Sequence, residues 1–135
     1  MNAPSTQDKL HRKSLSDQTH QMVRTVLYPQ DTDETISSLE YNGFYLQIAF
    51  SEVHPLMVFY LAKGIDNPGA NKKRLLLNEL NLHSVLGSHA INTEVSCYSF
   101  RSAHWIDCEI TELRFIEILE RCTEEAMRGY SKLVN

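Results

Sequence analysis

Two neighbouring runs decide how this chain folds: Phe44-Tyr45-Leu46-Gln47-Ile48-Ala49-Phe50 and Leu56-Met57-Val58-Phe59-Tyr60-Leu61. In the first, large apolar side chains alternate with smaller or more polar ones, the period-2 signature of a strand with one strongly apolar face. The second is apolar at every position, so both of its faces are greasy: Leu56, Val58 and Tyr60 on one, Met57, Phe59 and Leu61 on the other. The short connection from Glu52 to Pro55 makes an antiparallel hairpin the economical pairing. One face of such a hairpin is covered by helices; the other faces water in a lone antiparallel sheet, unless the strand is central and both faces are covered within the chain. If Met57, Phe59 and Leu61 lie on the uncovered side, they require a second copy or another protein as cover.

Helical patterns flank the hairpin. Ser14 and Asp17 form an S-x-x-D start, followed by Leu15, Thr19, Met22 and Val26 at helical spacing, with a stop before Pro29. The polar stretch 1–13 reads as a disordered tail, leaving 14–135 as a single domain. Gln30 to Ser38 is acidic and polar and reads as a loop. Asn67-Pro68 or Asn71 opens a second helix carrying Leu76, Leu80 and His83, and Gly87 is a natural end to it. Strands are expected at Ile91–Phe100 and Ala103–Glu109 with a turn near Arg101-Ser102. A last helix from about Thr111 to Met127 aligns Phe115, Leu119, Cys122 and Ala126. The order α-β-β-(β)-α-β-β-α describes an α+β domain, an antiparallel sheet with helices packed on it.

With 135 residues, 42% hydrophobic and 22% charged, the chain can bury an ordinary core without metal or disulfide. The net charge of −4 is spread along the chain, and neither half carries the basic excess that a phosphate backbone demands, so nucleic acid is not an expected partner. The longest apolar run, Leu56 to Ala62, is far below the ~20 residues that span a bilayer, so no membrane partner is expected. The N-terminus lacks a secretory signal's apolar segment. Cys97, Cys108 and Cys122 are odd in number and without C-x-x-C spacing, which fits a reducing compartment and a cytoplasmic protein.

Chemistry-bearing patterns are weak. His104 and Cys108 have an H-x₃-C spacing, with Asp107 between them, but strand positions four apart lie about 13 Å from each other, too far to share one ion. The cysteines read as small buried hydrophobes rather than nucleophiles. The glutamates near the C-terminus fall at i, i+4 from arginines, as on a solvated helix face. Neither a metal, a cofactor nor an enzymatic activity is expected. Trp105 stands out as an outward aromatic, either a partner anchor or a ring lying over its sheet neighbours.

The stretch Leu76-Leu77-Asn78-Glu79-Leu80-Asn81 with Ser84 and Gly87, then Tyr98, Trp105-Ile106-Asp107 and Phe115-Ile116-Glu117-Ile118-Leu119, resembles the YbjN-like family over roughly Tyr41 to Leu133. That family is similar in fold to class I type III secretion chaperones, compact α+β proteins, commonly dimeric, that hold other proteins. It carries a sensory transduction regulator label and no shared catalytic motif. The resemblance implies a homodimer that binds a protein client and does no chemistry. Met57, Phe59, Leu61 and Trp105 are the expected partner-binding or dimer anchors. A second expectation, from a different class, is a regulator with a small ligand held between sheet and helices.

Overall fold

The computed structural model describes residues 5–51, 53–106 and 108–135. Helix α1 spans Thr6–Leu27. It begins eight residues before Ser14, because the S-x-x-D pattern occurs twice and the earlier copy is the one used. The Ser5 hydroxyl accepts from the Asp8 N–H at 3.1 Å and the Asp8 carboxylate accepts from the Ser5 N–H at 3.4 Å. Residues 6–13, expected as tail, are thus the first two turns of the helix, held by this capping box and not by burial. Residues 1–4 of the expected tail lie outside the described residues. The helix ends where expected, with Tyr28 left-handed at φ 50° before Pro29.

The expected loop 30–38 contains strand β1 (Asp31–Thr32) and the start of β2 (Ile36–Tyr41). Asp33 makes the turn between them, its carboxylate accepting from the N–H groups of Thr35 and Ile36 at 2.8 Å each. Polar composition here marks a short edge hairpin rather than an unstructured link. β3 (Phe44–Phe50) and β4 (Leu56–Gly64) form the anticipated hairpin. Glu52, in the expected turn, lies outside the described residues.

Helix α2 covers Asn71–His83. Gly87 does not cap it. A Cβ at Gly87 would collide with the Arg101 carbonyl oxygen, so the glycine permits the chain's close approach to the sheet. The next hairpin also departs from expectation. β5 is Ser88–Asn92 and β6 is Cys97–Trp105, with the turn at 93–96 and Arg101-Ser102 in mid-strand. Turn chemistry explains the shift: the Asn92 side chain accepts from the Glu94 N–H, and Ser96 takes a left-handed φ of 49°. Helix α3 runs Glu112–Val134, capped by the Thr111 hydroxyl, and buries Phe115, Leu119, Cys122 and Ala126 as anticipated, then Gly129 and Leu133 further on.

The six strands form one antiparallel sheet in the order β1-β2-β3-β4-β6-β5. Helices α1 and α3 lie on one face. His20 of α1 stacks on Phe50 at 4.6 Å, and Phe115 of α3 packs on Phe59 at 5.9 Å. That face supplies the core: Phe44, Leu46, Ile48, Phe50, Met57, Phe59, Leu61, Tyr98 and Phe100 are all buried. Helix α2 packs beside edge strand β5, where the Asn81 amide donates to the His89 carbonyl and accepts from the His89 N–H, both at 2.8 Å.

Candidate functional site

The register determines which residues a partner can reach. Phe50 pairs with Met57, Ile48 with Phe59 and Leu46 with Leu61, so the apolar face of β3 continues through the odd-numbered residues of β4. Met57, Phe59 and Leu61 are therefore beneath the helices, each 0% exposed. Three of the four expected anchors are core residues with no surface to offer. The other face of β4, Leu56, Val58 and Tyr60, is the uncovered one; these residues are half-buried and stand outside the core cluster.

Trp105 is on this open face, 61% exposed at the end of β6 and opposite Leu56. Cross-strand neighbours extend the patch: Val58 lies between Ala49 and Ala103, and Tyr60 between Gln47 and Arg101. The result is a broad sheet surface with an apolar centre and polar margins. Asp107, within the expected strand Ala103–Glu109, lies outside the described residues.

A second apolar surface escaped the sequence reading. On α2, Leu75 and Leu82 are two turns apart on the same side and each more than 70% exposed, and Val85 and Leu86 follow in the connection to β5. The signal was present in the Leu75-x₆-Leu82 spacing, but the row of Leu76, Leu80 and His83 obscured it, of which only Leu80 is buried.

Two buried polar clusters lie under the helices. His89 Nε2 faces the Glu125 carboxylate at 3.0 Å and Nδ1 meets the Tyr98 hydroxyl at 2.7 Å; Arg128 pairs with Glu125 from outside. A carboxylate only accepts, so Nε2 carries the proton, and the single Tyr98 hydroxyl hydrogen lies between two acceptors, His89 Nδ1 and the Ala126 carbonyl at 3.2 Å. Burial pushes the His89 pKa down, against the pull of Glu125, and raises that of Tyr98. This arrangement ties β5 and β6 to α3. The second cluster gathers Ser102, His104 and Cys122, with the serine hydroxyl 2.6 Å from His104 Nε2 and the Cys122 sulfur 3.7 Å from it. Burial raises the Cys122 pKa and lowers that of His104, opposite to the shifts that make a thiolate and its imidazolium. The cysteine is 1% exposed. Among the described residues no group of histidine, cysteine and carboxylate side chains is placed to hold a metal ion, and no helix is long and apolar enough to cross a membrane.

One antiparallel sheet with α1 and α3 on a single face and α2 at its edge defines the type III secretion chaperone-like fold, an α+β fold. The solved structures it resembles include YbjN from E. coli, with a TM-score of 0.62 and 12% identity over 84% of this chain and 87% of that one. A chain of the ExsC–ExsE complex matches with a TM-score of 0.65 and 12% identity, covering 93% of this chain and 95% of that one. The Yersinia pestis type III secretion chaperone SycH, solved with a stable fragment of YscM2, matches with a TM-score of 0.55 and 18% identity over 87% and 98% of the two chains. No family model matches this chain, and no curated protein sequence does.

Proposed function

We propose that this protein is a non-enzymatic chaperone-like or regulatory domain that self-associates and holds a segment of another protein on its open sheet face. The observation that carries the reading is the uncovered apolar surface of Leu56, Val58, Tyr60 and Trp105, backed by a sheet whose other face is already filled. A partner that covers these side chains gains roughly 25 cal/mol for each Å² of apolar area removed from water, and tryptophan is among the residue types enriched as anchors of protein interfaces. Solved structures of the same fold include SycH with its YscM2 fragment, the ExsC–ExsE complex and the HopA1–SchA chaperone–effector complex, which supports a protein segment as the occupant.

Self-association is assigned to the second surface. Leu75 and Leu82 form a narrow helical stripe, the shape that packs against its own symmetric copy. This leaves the sheet face free for a client. The test separates the two surfaces. Sedimentation velocity of Leu82→Asp is expected to show a monomer where the parent chain is a dimer. Trp105→Ser should leave the dimer intact and lose specific client proteins from crosslinked pull-downs. A parent chain that is monomeric at high concentration refutes the dimer. Identical captured proteins for the parent and for Trp105→Ser refute the client surface.

A further inference from the structure

A segment lying on the open sheet face meets side chains only. The N–H and C=O groups of β3, β4 and β6 are engaged in the ladders on both sides of each strand, so the face has no main-chain donor or acceptor to offer. An extended segment pressed against it leaves without partners every peptide group that the contact hides from water. A helix satisfies those groups internally and needs only a matching surface. The cavity of about 350 Å³ beside α1, with Ser16, Arg24, Thr35 and Phe50 in its wall, is no alternative seat, because the Ser16 hydroxyl and Arg24 Nε are buried beneath its surface.

The register builds the matching surface. Ala49 of β3, Val58 of β4 and Ala103 of β6 lie side by side at one level across the sheet, and Ile36 of β2 continues the row beyond Ala49. All four can be reached: Ala103 is exposed and the others are half-buried. Two residues along each strand stand larger side chains, Leu56 and Trp105 on one side, Gln47, Tyr60 and Arg101 on the other. The Tyr45 hydroxyl donates to Gln47 Oε1 at 3.4 Å, which leans a further ring against this second wall. On β4 the walls are four residues apart, about 13 Å by the rise of a strand, and a helix with its side chains is about 10–12 Å across. The floor crosses from β2 to β6, about 14 Å at the spacing of neighbouring strands, the length of about nine helical residues.

Charge then selects the helix. Arg101 is exposed in the second wall and forms no ion pair among the described residues. Glu40 shares the open face but belongs to β2, about 14 Å across the sheet from β6. We infer that the segment held on the open face is a short amphipathic α-helix, its apolar i, i+3, i+4, i+7 side laid on Ala49, Val58, Ala103 and Trp105 and a carboxylate on its flank meeting Arg101. This rests on the open face being the client surface and adds the client's conformation and charge.

The test is titration of the ¹⁵N-labelled full chain with three synthetic peptides of about 14 residues. The first has leucines at i, i+3, i+4 and i+7 with glutamates on the flanks. The second carries lysines in place of the glutamates. The third has the composition of the first with leucine and glutamate alternating. The acidic helical peptide is expected to bind saturably and to gain helical circular dichroism. It should move the amides around Ala49, Val58, Arg101 and Ala103 and the fluorescence of Trp105, the single tryptophan of the chain. The lysine peptide should bind about tenfold more weakly, and Arg101→Glu should reverse that order with the urea midpoint in place, since like charges then meet at the wall. The alternating peptide should leave the face unmoved. Absence of saturation with the acidic helical peptide overturns the inference. So does an unchanged order of preference in Arg101→Glu. If the alternating peptide binds this face equally well and Trp105→Ser abolishes that binding, the client surface stands and the helical occupant falls.

Discussion

Replacing Phe59 by alanine and, separately, its neighbour Val58 by serine sets the two faces of one strand against each other. Phe59 is 0% exposed and its ring lies 5.9 Å from Phe115 and 5.4 Å from His104. Truncation there deletes an aromatic ring between the central strand and α3, where helix and sheet cannot both collapse into the gap. The cost for a buried phenylalanine is about 3–5 kcal/mol, a large share of the roughly 5–15 kcal/mol that holds a domain together. At about 3–4 °C per kcal/mol for a domain of this size, the melting midpoint falls by about 9–20 °C. Val58 is half-buried on the uncovered face and outside the core cluster, so serine there costs about 1 kcal/mol or less. Its consequence is expected in client capture instead. Urea unfolding followed by circular dichroism measures both stabilities, with each variant's m-value checked against the parent. Equal losses for the two variants, or a Phe59→Ala loss below about 1 kcal/mol, would refute the assignment of faces.

Gly129→Ala is expected to destabilise the protein by about 1–3 kcal/mol, because the added methyl would lie 2.5 Å from His89 Nδ1 and 2.7 Å from the Tyr98 hydroxyl, both buried and immobile. Gly69→Ala, with nothing within 4 Å of the new carbon, is the control, and the urea midpoints decide. Acid should weaken the fold before the carboxylates titrate. His20, His89 and His104 all have pKa values pushed down, chiefly by burial, so the unfolded chain takes up protons first; their contribution is present above about pH 6.5 and is lost as pH falls through the depressed values. A urea midpoint that stays flat from pH 7 to pH 5 would contradict this.

Periodicity made much of the molecule legible. The alternation of Phe44, Leu46, Ile48 and Phe50, the i, i+4 row of α3 and the β3–β4 hairpin are all where the pattern places them, because one buried face imposes one period. The inside face of β4 was harder, since Met57, Phe59 and Leu61 are no greasier than Leu56, Val58 and Tyr60. The deciding information sits in the partner strand: pairing Ile48 with Phe59 carries the apolar side of β3 onto the odd residues. Turns were read from the wrong residues. Arg101-Ser102 is polar but sits in mid-strand, whereas Asn92 has the side chain that closes a turn. The cavity beside α1 was illegible for a different reason. Ser16 and Arg24 of α1, Thr35 of the turn before β2 and Phe50 of β3 share no spacing; only packing brings them together.

Asn81 has an effect out of proportion to its size. By presenting one donor and one acceptor to the His89 backbone, its amide imitates the next strand and occupies a rung of the ladder that a stranger's backbone would otherwise take. Growth of the sheet is thereby discouraged on the β5 side and left to the opposite border, where β1 shields only Ser37 and Ser38 of β2. A margin covered in this way is less prone to edge-to-edge propagation into a fibre.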